Sequence, residues 1–176
     1  EISGFFYQLE NMNCRRYLDI KRKDNFLENP DLVIVMMNPG NSKPLDGLYM
    51  GKKESEAHPD RTQMQIMHVM DNCGLSYFRI LNLTDIQETR SNNLYRILSK
   101  RKTKKMAHSI FDPRRQAEFD MLYPRDTRTV LAWGVHDALT ELAQMALDRI
   151  GKEKIYGLQK DGTETAYYHP LPPSYY

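Results

Sequence analysis

One stretch restricts the possible folds more than any other: Leu32-Val33-Ile34-Val35-Met36-Met37 is unbroken apolar sequence, and it closes on Asn38-Pro39-Gly40. The run is rich in β-branched residues and too short for a helix, so it reads as a strand buried on both faces, the signature of a central parallel strand. Pro39 and Gly40 then force a turn, which leaves the Asn38 side chain at the carboxyl edge of the sheet. In open α/β sheets that edge is where ligands gather. A plain strand-to-loop turn, with Asn38 bonded only to backbone, satisfies the same residues.

The flanking sequence repeats the pattern. Residues 60–73 place Ile66, Val69, Met70 and Cys73 on one helical stripe, with Gly74 positioned to end the helix, and Tyr77 to Asn82 reads as a second buried strand. A strand-helix-strand unit of this kind is parallel and right-handed in nearly all cases. Thr129-Val130-Leu131-Ala132-Trp133-Gly134 predicts a third strand, residues 137–150 a helix with Leu139, Leu142, Ala143, Ala146 and Ile150 on its stripe, and residues 154–158 a fourth strand. Asp161-Gly162 marks a tight turn, and residues 165–168 read as its return strand. Residues 14–22 suit an edge strand guarded by charge, residues 41–57 a surface loop, and residues 1–13 give no clear period, a tail or a short helix. The expected fold is three-layer α/β/α around a mainly parallel four-stranded sheet, with residues 1–176 as one domain.

Two cysteines, Cys14 and Cys73, cannot build a disulfide framework or a four-ligand zinc site. No apolar run approaches the ~20 residues that a membrane span requires. These features predict a soluble, cytoplasmic protein, a monomer or weak oligomer, with no metal and no cofactor. P-loop, GxGxxG, GxSxG and HExxH patterns are absent, which removes nucleotide hydrolysis, dinucleotide binding, triad esterase and zinc protease readings. A net charge of +2 makes the whole chain no magnet for nucleic acid, but Lys100-Arg101-Lys102-Thr103-Lys104-Lys105 gathers five positive charges in six residues. Ser91 is placed to cap a helix running into that cluster, and Arg114 and Arg115 follow a cap at Asp112-Pro113. The cluster is either a solvated helix end or a phosphate-contacting surface.

Strands sharing one direction bring their carboxyl ends together, so Asn38, Asn82 and His136 should converge, with His169 after the last strand segment. His58, His68, His108 and His136 stand singly without ligand spacing, whereas Pro170 holds His169 in an extended backbone.

Met36-Met37-Asn38-Pro39-Gly40, Ile80-Leu81-Asn82-Leu83-Thr84, Val130-Leu131-Ala132-Trp133-Gly134 and His169-Pro170-Leu171-Pro172 resemble, in that order, the four strand-end motifs of the uracil-DNA glycosylase superfamily. The resemblance implies that Asn38 positions the attacking water, Asn82 reads the edge of a flipped base, and His169 donates a hydrogen bond to the departing base. Tyr49 is then the aromatic that stacks on the base, and Pro39, Gly40 and Trp133 join the substrate-binding set. Lys100, Arg101, Lys102, Lys104, Lys105, Arg114 and Arg115 would meet phosphates. The ligand that the resemblance implies is nucleic acid, DNA in preference to RNA, or a nucleotide or nucleoside. Leu171 replaces the usual serine of the last motif, and a hairpin is inserted before His169. The chain also resembles, more continuously, a bacterial and phage family of unknown function, through Arg16-Tyr17-Leu18, Asn38-Pro39, Asn82-Leu83, Ala132-Trp133-Gly134 and the closing Lys160-Asp161-Gly162 to His169-Pro170-Leu171. Two functions stay open: base excision, and noncatalytic nucleic-acid or nucleotide binding on the same fold.

Overall fold

The computed structural model describes residues 1–151 and 153–171; Pro172 of the last motif lies outside them. The strands are β1 (Ile2–Leu9), β2 (Met12–Lys21), β3 (Leu32–Met36), β4 (Glu54–Glu56), β5 (Tyr77–Asn82), β6 (Arg128–Ala132) and β7 (Ile155–Tyr156). The helices are α1 (Arg61–Cys73), α2 (Ser91–Leu98), α3 (Arg101–Lys104), α4 (Gln116–Leu122) and α5 (Thr140–Ile150). All seven strands form one sheet in the order β4-β1-β2-β5-β3-β6-β7.

The chain is therefore α/β, but the expected mainly parallel four-stranded sheet is not what forms. β5, β3, β6 and β7 run parallel, whereas β5 also pairs antiparallel with β2, β2 with β1, and β1 with β4, so the seven-stranded sheet is mixed. The error began at residues 1–13: Phe5, Phe6 and Tyr7 are strand formers whose period is blurred by Gly4 and polar neighbours, and they build β1. With β1 alongside, β2 is interior rather than an edge, and charged Glu54 and Glu56 of β4 guard that side of the sheet instead. The last expected strand shrinks to two residues, and residues 165–168 contribute only isolated bridges at Tyr167.

Alternation along the strands loads both faces. Val33, Val35, Leu81, Leu131 and Trp133 join Leu94, Phe119, Ala143 and Ala146 in one core. Leu32, Ile34, Met36, Phe78 and Ile80 join Ile66 and Met70 of α1 in the other. Each buried Ile or Met side chain contributes about 1.5–3 kcal/mol, enough to fix α1 on its face. A capping box starts α1, with Asp60 accepting from Gln63 N at 3.0 Å while the Gln63 side chain returns to Asp60 N, and Gly74 ends it in the left-handed conformation. The expected helix from Ser91 into the basic cluster breaks at Ser99 into α2 and α3, and Arg90, not Ser91, is the cap residue. Residues 137–139 form a 3-10 turn before α5 rather than its first turn.

One irregularity aims the site. Gly4 pairs with Leu18 and Phe6 with Arg15, so Arg16 and Tyr17 of β2 together oppose the single Phe5. This bulge resets the alternation: Cys14 and Tyr17 share one core, while Arg15 stands beside Phe6 on the α1 face. Gly4 permits it, since a Cβ there would lie 2.7 Å from the Tyr17 carbonyl oxygen.

Candidate functional site at the carboxyl end of β3

Beyond Met36 the chain turns through Pro39 and Gly40, the latter at φ +62°, and passes beneath the amino end of α1. A cavity of about 210 Å³ opens there, lined by residues of five segments: Arg15 from β2; Met36, Met37, Asn38, Pro39 and Gly40 at and after the end of β3; Asp60, Thr62 and Gln63 at the start of α1; Glu88 and Thr89; and His169. Gly40 fits closely, because a Cβ on it would stand 3.4 Å from Asp60 Oδ2.

Asn38 is fixed by its amide hydrogens. Its Nδ2 donates to the Ile86 carbonyl at 3.2 Å and the Glu88 carbonyl at 2.7 Å, and its Oδ1 has no partner among the described residues. An amide whose donors are both spent presents only an acceptor, which suits it to take a hydrogen from water or from a ligand N–H. His169 is half-buried, and its Nδ1 sits 3.0 Å from the Leu171 carbonyl and 3.1 Å from the Leu171 N–H. Burial holds its pKa below the ordinary histidine value, against the opposing pull of the Leu171 carbonyl and Asp60. Its imidazole is therefore neutral at pH 7.

The other expected residues separate from this pair. Asn82 is fully buried and does not line the cavity; its amide, turned so that oxygen meets a donor, accepts from Arg15 Nη2 at 3.2 Å and donates to the Asn38 carbonyl at 3.1 Å. It supports the site from beneath rather than facing a ligand. Tyr49 packs edge-on against Phe6 with ring centroids 5.9 Å apart and donates to Gln87 Oε1, away from the lining. Trp133 is 1% exposed, donates to the Thr165 carbonyl at 2.8 Å and meets Tyr167 edge-on, a core role. His136 is exposed and stacks on Tyr95 with centroids 3.9 Å apart.

The basic cluster also divides. Arg115 is only 7% exposed and is held by Asp85 at 2.6 Å and Glu118 at 2.9 Å, so it cannot meet a phosphate without breaking two ion pairs. Arg114 closes on Asp112, Lys102 pairs with Glu10, and Lys104 pairs with Glu141 at 2.8 Å. Lys100, Arg101 and Lys105 are exposed and enter no ion pair among the described residues.

Arg15 is the residue that sequence reasoning passed over. It is 1% exposed, and its Nε and Nη1 find no hydrogen-bond partner among the described residues. Strict alternation along β2 gives no hint of it, since the bulge sets its direction. Among the described residues no group of three His, Cys, Asp or Glu side chains is placed to hold a metal ion. No helix among them is long and apolar enough to cross a membrane.

The chain is thus an α/β protein with a cavity at the carboxyl end of a central parallel strand, the position where ligands gather in open α/β sheets. Residues 16–171 match the family described as Protein of unknown function (DUF1643), and the chain belongs to that family. No curated protein and no solved structure matches the chain.

Proposed function

We propose that the cavity after β3 admits a nucleobase and that the protein hydrolyses an N-glycosidic bond, in the manner of a uracil-DNA glycosylase, on a modified or deaminated base in nucleic acid, DNA in preference to RNA. The observation that carries this reading is that Asn38 and His169, distant in sequence, line one cavity. The bond between the base nitrogen and the sugar breaks with its electron pair passing to the base, a water oxygen bonds to the sugar carbon left behind, and the proton that water gives up passes to the departed base. Such a transition state needs a donor at the departing base and a held water. His169, kept neutral by burial, is suited to the first role when Nδ1 accepts from the Leu171 N–H and Nε2 carries the proton. Asn38 Oδ1 is suited to the second. An amide is a poor base, so sugar–base cleavage runs ahead of water attack.

A second reading, noncatalytic binding of nucleic acid or a nucleotide, is favoured by Asn82 and Tyr49, which lie outside the lining and leave the base-reading and base-stacking roles unfilled. Single-turnover release of free base from single-stranded and duplex oligonucleotides carrying uracil, hypoxanthine or an oxidised base decides between them. Release that disappears in His169→Ala supports excision. Binding of every oligonucleotide with no release from any leaves the binder.

A further inference from the structure

Burying a guanidinium costs several kcal/mol unless a carboxylate and hydrogen-bond acceptors replace the lost water. Three arginines of this chain are buried or nearly so, and two are compensated. Arg79 grips Asp19 through Nε at 2.7 Å and Nη2 at 2.7 Å and donates from Nη1 to the Leu122 carbonyl at 3.0 Å. Arg115 is held between Asp85 and Glu118. Arg15, the least exposed of the three, forms no ion pair among the described residues, and only its Nη2 is used, on Asn82.

We infer that the cavity is an oxyanion receptor in which the buried guanidinium of Arg15, which lines it without an ion pair, is met by a phosphate or carboxylate group of the ligand. A guanidinium is a charged donor that pairs strongly with the oxygens of such a group, as Arg79 does with Asp19. The surroundings agree with this assignment. Thr62 in the first turn of α1 lines the same cavity, at the end of a helix where the dipole favours negative charge. Gly40, at positive φ, lines the same cavity without a side chain. Burial draws the Arg15 pKa down to about 10, with Asp60 and Asp85 resisting, so the group stays charged at neutral pH.

Asp60 and Glu88 also line the cavity, and their carboxylates oppose an incoming anion. Asp60 has one oxygen committed to the α1 capping box. Glu88 bonds through Oε1 to the Arg90 N–H at 2.9 Å. Their repulsion sets a direction: Asp60→Asn, which preserves a capping side chain, tightens anion binding, whereas a site that did not hold the anion here would not respond. The inference does not require base excision, since a binder and an enzyme would both use the group.

The test is titration of the intact protein with inorganic phosphate and, separately, sodium acetate, each against chloride at equal ionic strength, following the arginine Nε–H resonances and the thermal midpoint. A saturable shift of the Arg15 Nε–H signal with phosphate alone assigns a phosphorylated ligand, and a shift with both anions assigns the wider oxyanion class. Arg15→Met should weaken phosphate binding by about tenfold to a hundredfold, the range for a hydrogen bond to a charged group. Arg15→Lys, which keeps the charge but not the planar guanidinium, should weaken it less and serves if the methionine variant fails to fold. An Arg15 signal unmoved by either anion overturns the inference, as does equal binding by Arg15→Lys and wild type. Base release proceeding normally in Arg15→Lys while phosphate leaves the Arg15 signal unmoved would sink this inference and spare the excision reading. Saturable phosphate binding without release of any base would do the reverse.

Discussion

Arg115 and Arg15 are buried on opposite faces of one sheet, and they are treated in opposite ways. Around Arg115 the chain has gathered Asp85, Glu118 and, through Asp85, the Tyr7 hydroxyl at 2.6 Å. Around Arg15 it has gathered an amide oxygen on one nitrogen and no partner among the described residues on the other two, in a side chain that lines a cavity. The first arrangement is closed: every strong charge has its counterion inside the fold, so removing one member leaves another stranded. The second is open, and what would close it must come from outside. A residue's burial alone therefore does not separate structural from functional charge. The completeness of its partners does.

The comparison is tested most severely at Asp85. Burial raises the pKa of its carboxyl against the pull of Arg115, and deleting it in Asp85→Ala strips the buried Arg115 guanidinium of its buried counterion, leaving only the partly exposed Glu118, and takes the acceptor from the Tyr7 hydroxyl. Breaking a buried pair in this way costs about 3–5 kcal/mol, to be read from the urea midpoint at unchanged slope. Arg15→Met should instead move that midpoint by less than about 1.5 kcal/mol in either direction, because the lost Asn82 contact is offset by relief of an uncompensated buried charge. Equal losses in the two variants would show that Arg15 is as structural as Arg115.

At the cavity itself, Asn38→Ala and His169→Ala are expected to lower single-turnover base release by about a hundredfold to a thousandfold, the usual effect of removing a group that stabilises charge in the transition state. Their urea midpoints should stay near that of the wild type, since Asn38 and His169 are each only partly buried. A large stability loss in His169→Ala with release unaffected would move His169 into the closed, structural category.

A smaller effect belongs to the surface. Converting Lys100, Arg101 and Lys105 to neutral residues should reduce the salt slope for single-stranded oligonucleotides by roughly two, at about 0.7 per phosphate contact. Lys102 and Lys104, already paired with Glu10 and Glu141, should each change it less. An unchanged slope in the triple variant would make the cluster a solvated helix end.

How far the sequence reached follows the same division between local and nonlocal causes. The β3 run, the helix α1 with Asp60 and Gly74 at its ends, and the Tyr77 to Asn82 strand are set by residues that are neighbours in sequence and could be read directly, although of the expected α1 stripe only Ile66 and Met70 are buried, while Val69 and Cys73 are exposed. β1 was missed because Gly4, needed for close approach at Tyr17, interrupts its aromatic pattern. Arg15 was missed because a two-for-one pairing with Phe5, which no local pattern announces, sets the direction of its side chain. Arg115 was assigned to the surface because Asp85 and Glu118 come to it through tertiary packing, and a basic pair in sequence says nothing of its counterions.

Two histidines carry the comparison to its finest scale. His108 belongs to the Arg115 region, bonded through Nδ1 to Thr84 Oγ1 at 2.9 Å, and His169 belongs to the Arg15 cavity. Burial lowers both pKa values, but the charges around them differ: Asp112 opposes the shift at His108 while Arg115 and Arg114 add to it, and at His169 the opposing charge is Asp60. A histidine whose folded pKa is depressed contributes stability that is complete above the unfolded value of about 6.5 and is lost as pH falls through the lower folded value. Both therefore make the protein less stable below about pH 6.5, in the window between the two values. Asp60→Asn should lower the His169 pKa further, because a nearby charge favouring the imidazolium is gone, and leave His108 where it was. Titration of the imidazole carbon-bound protons by NMR reads both shifts in one experiment. If His108 moved with His169, or if neither moved, Asp60 and His169 would not share the cavity electrostatically, and the open region would have to be redrawn around Arg15 alone.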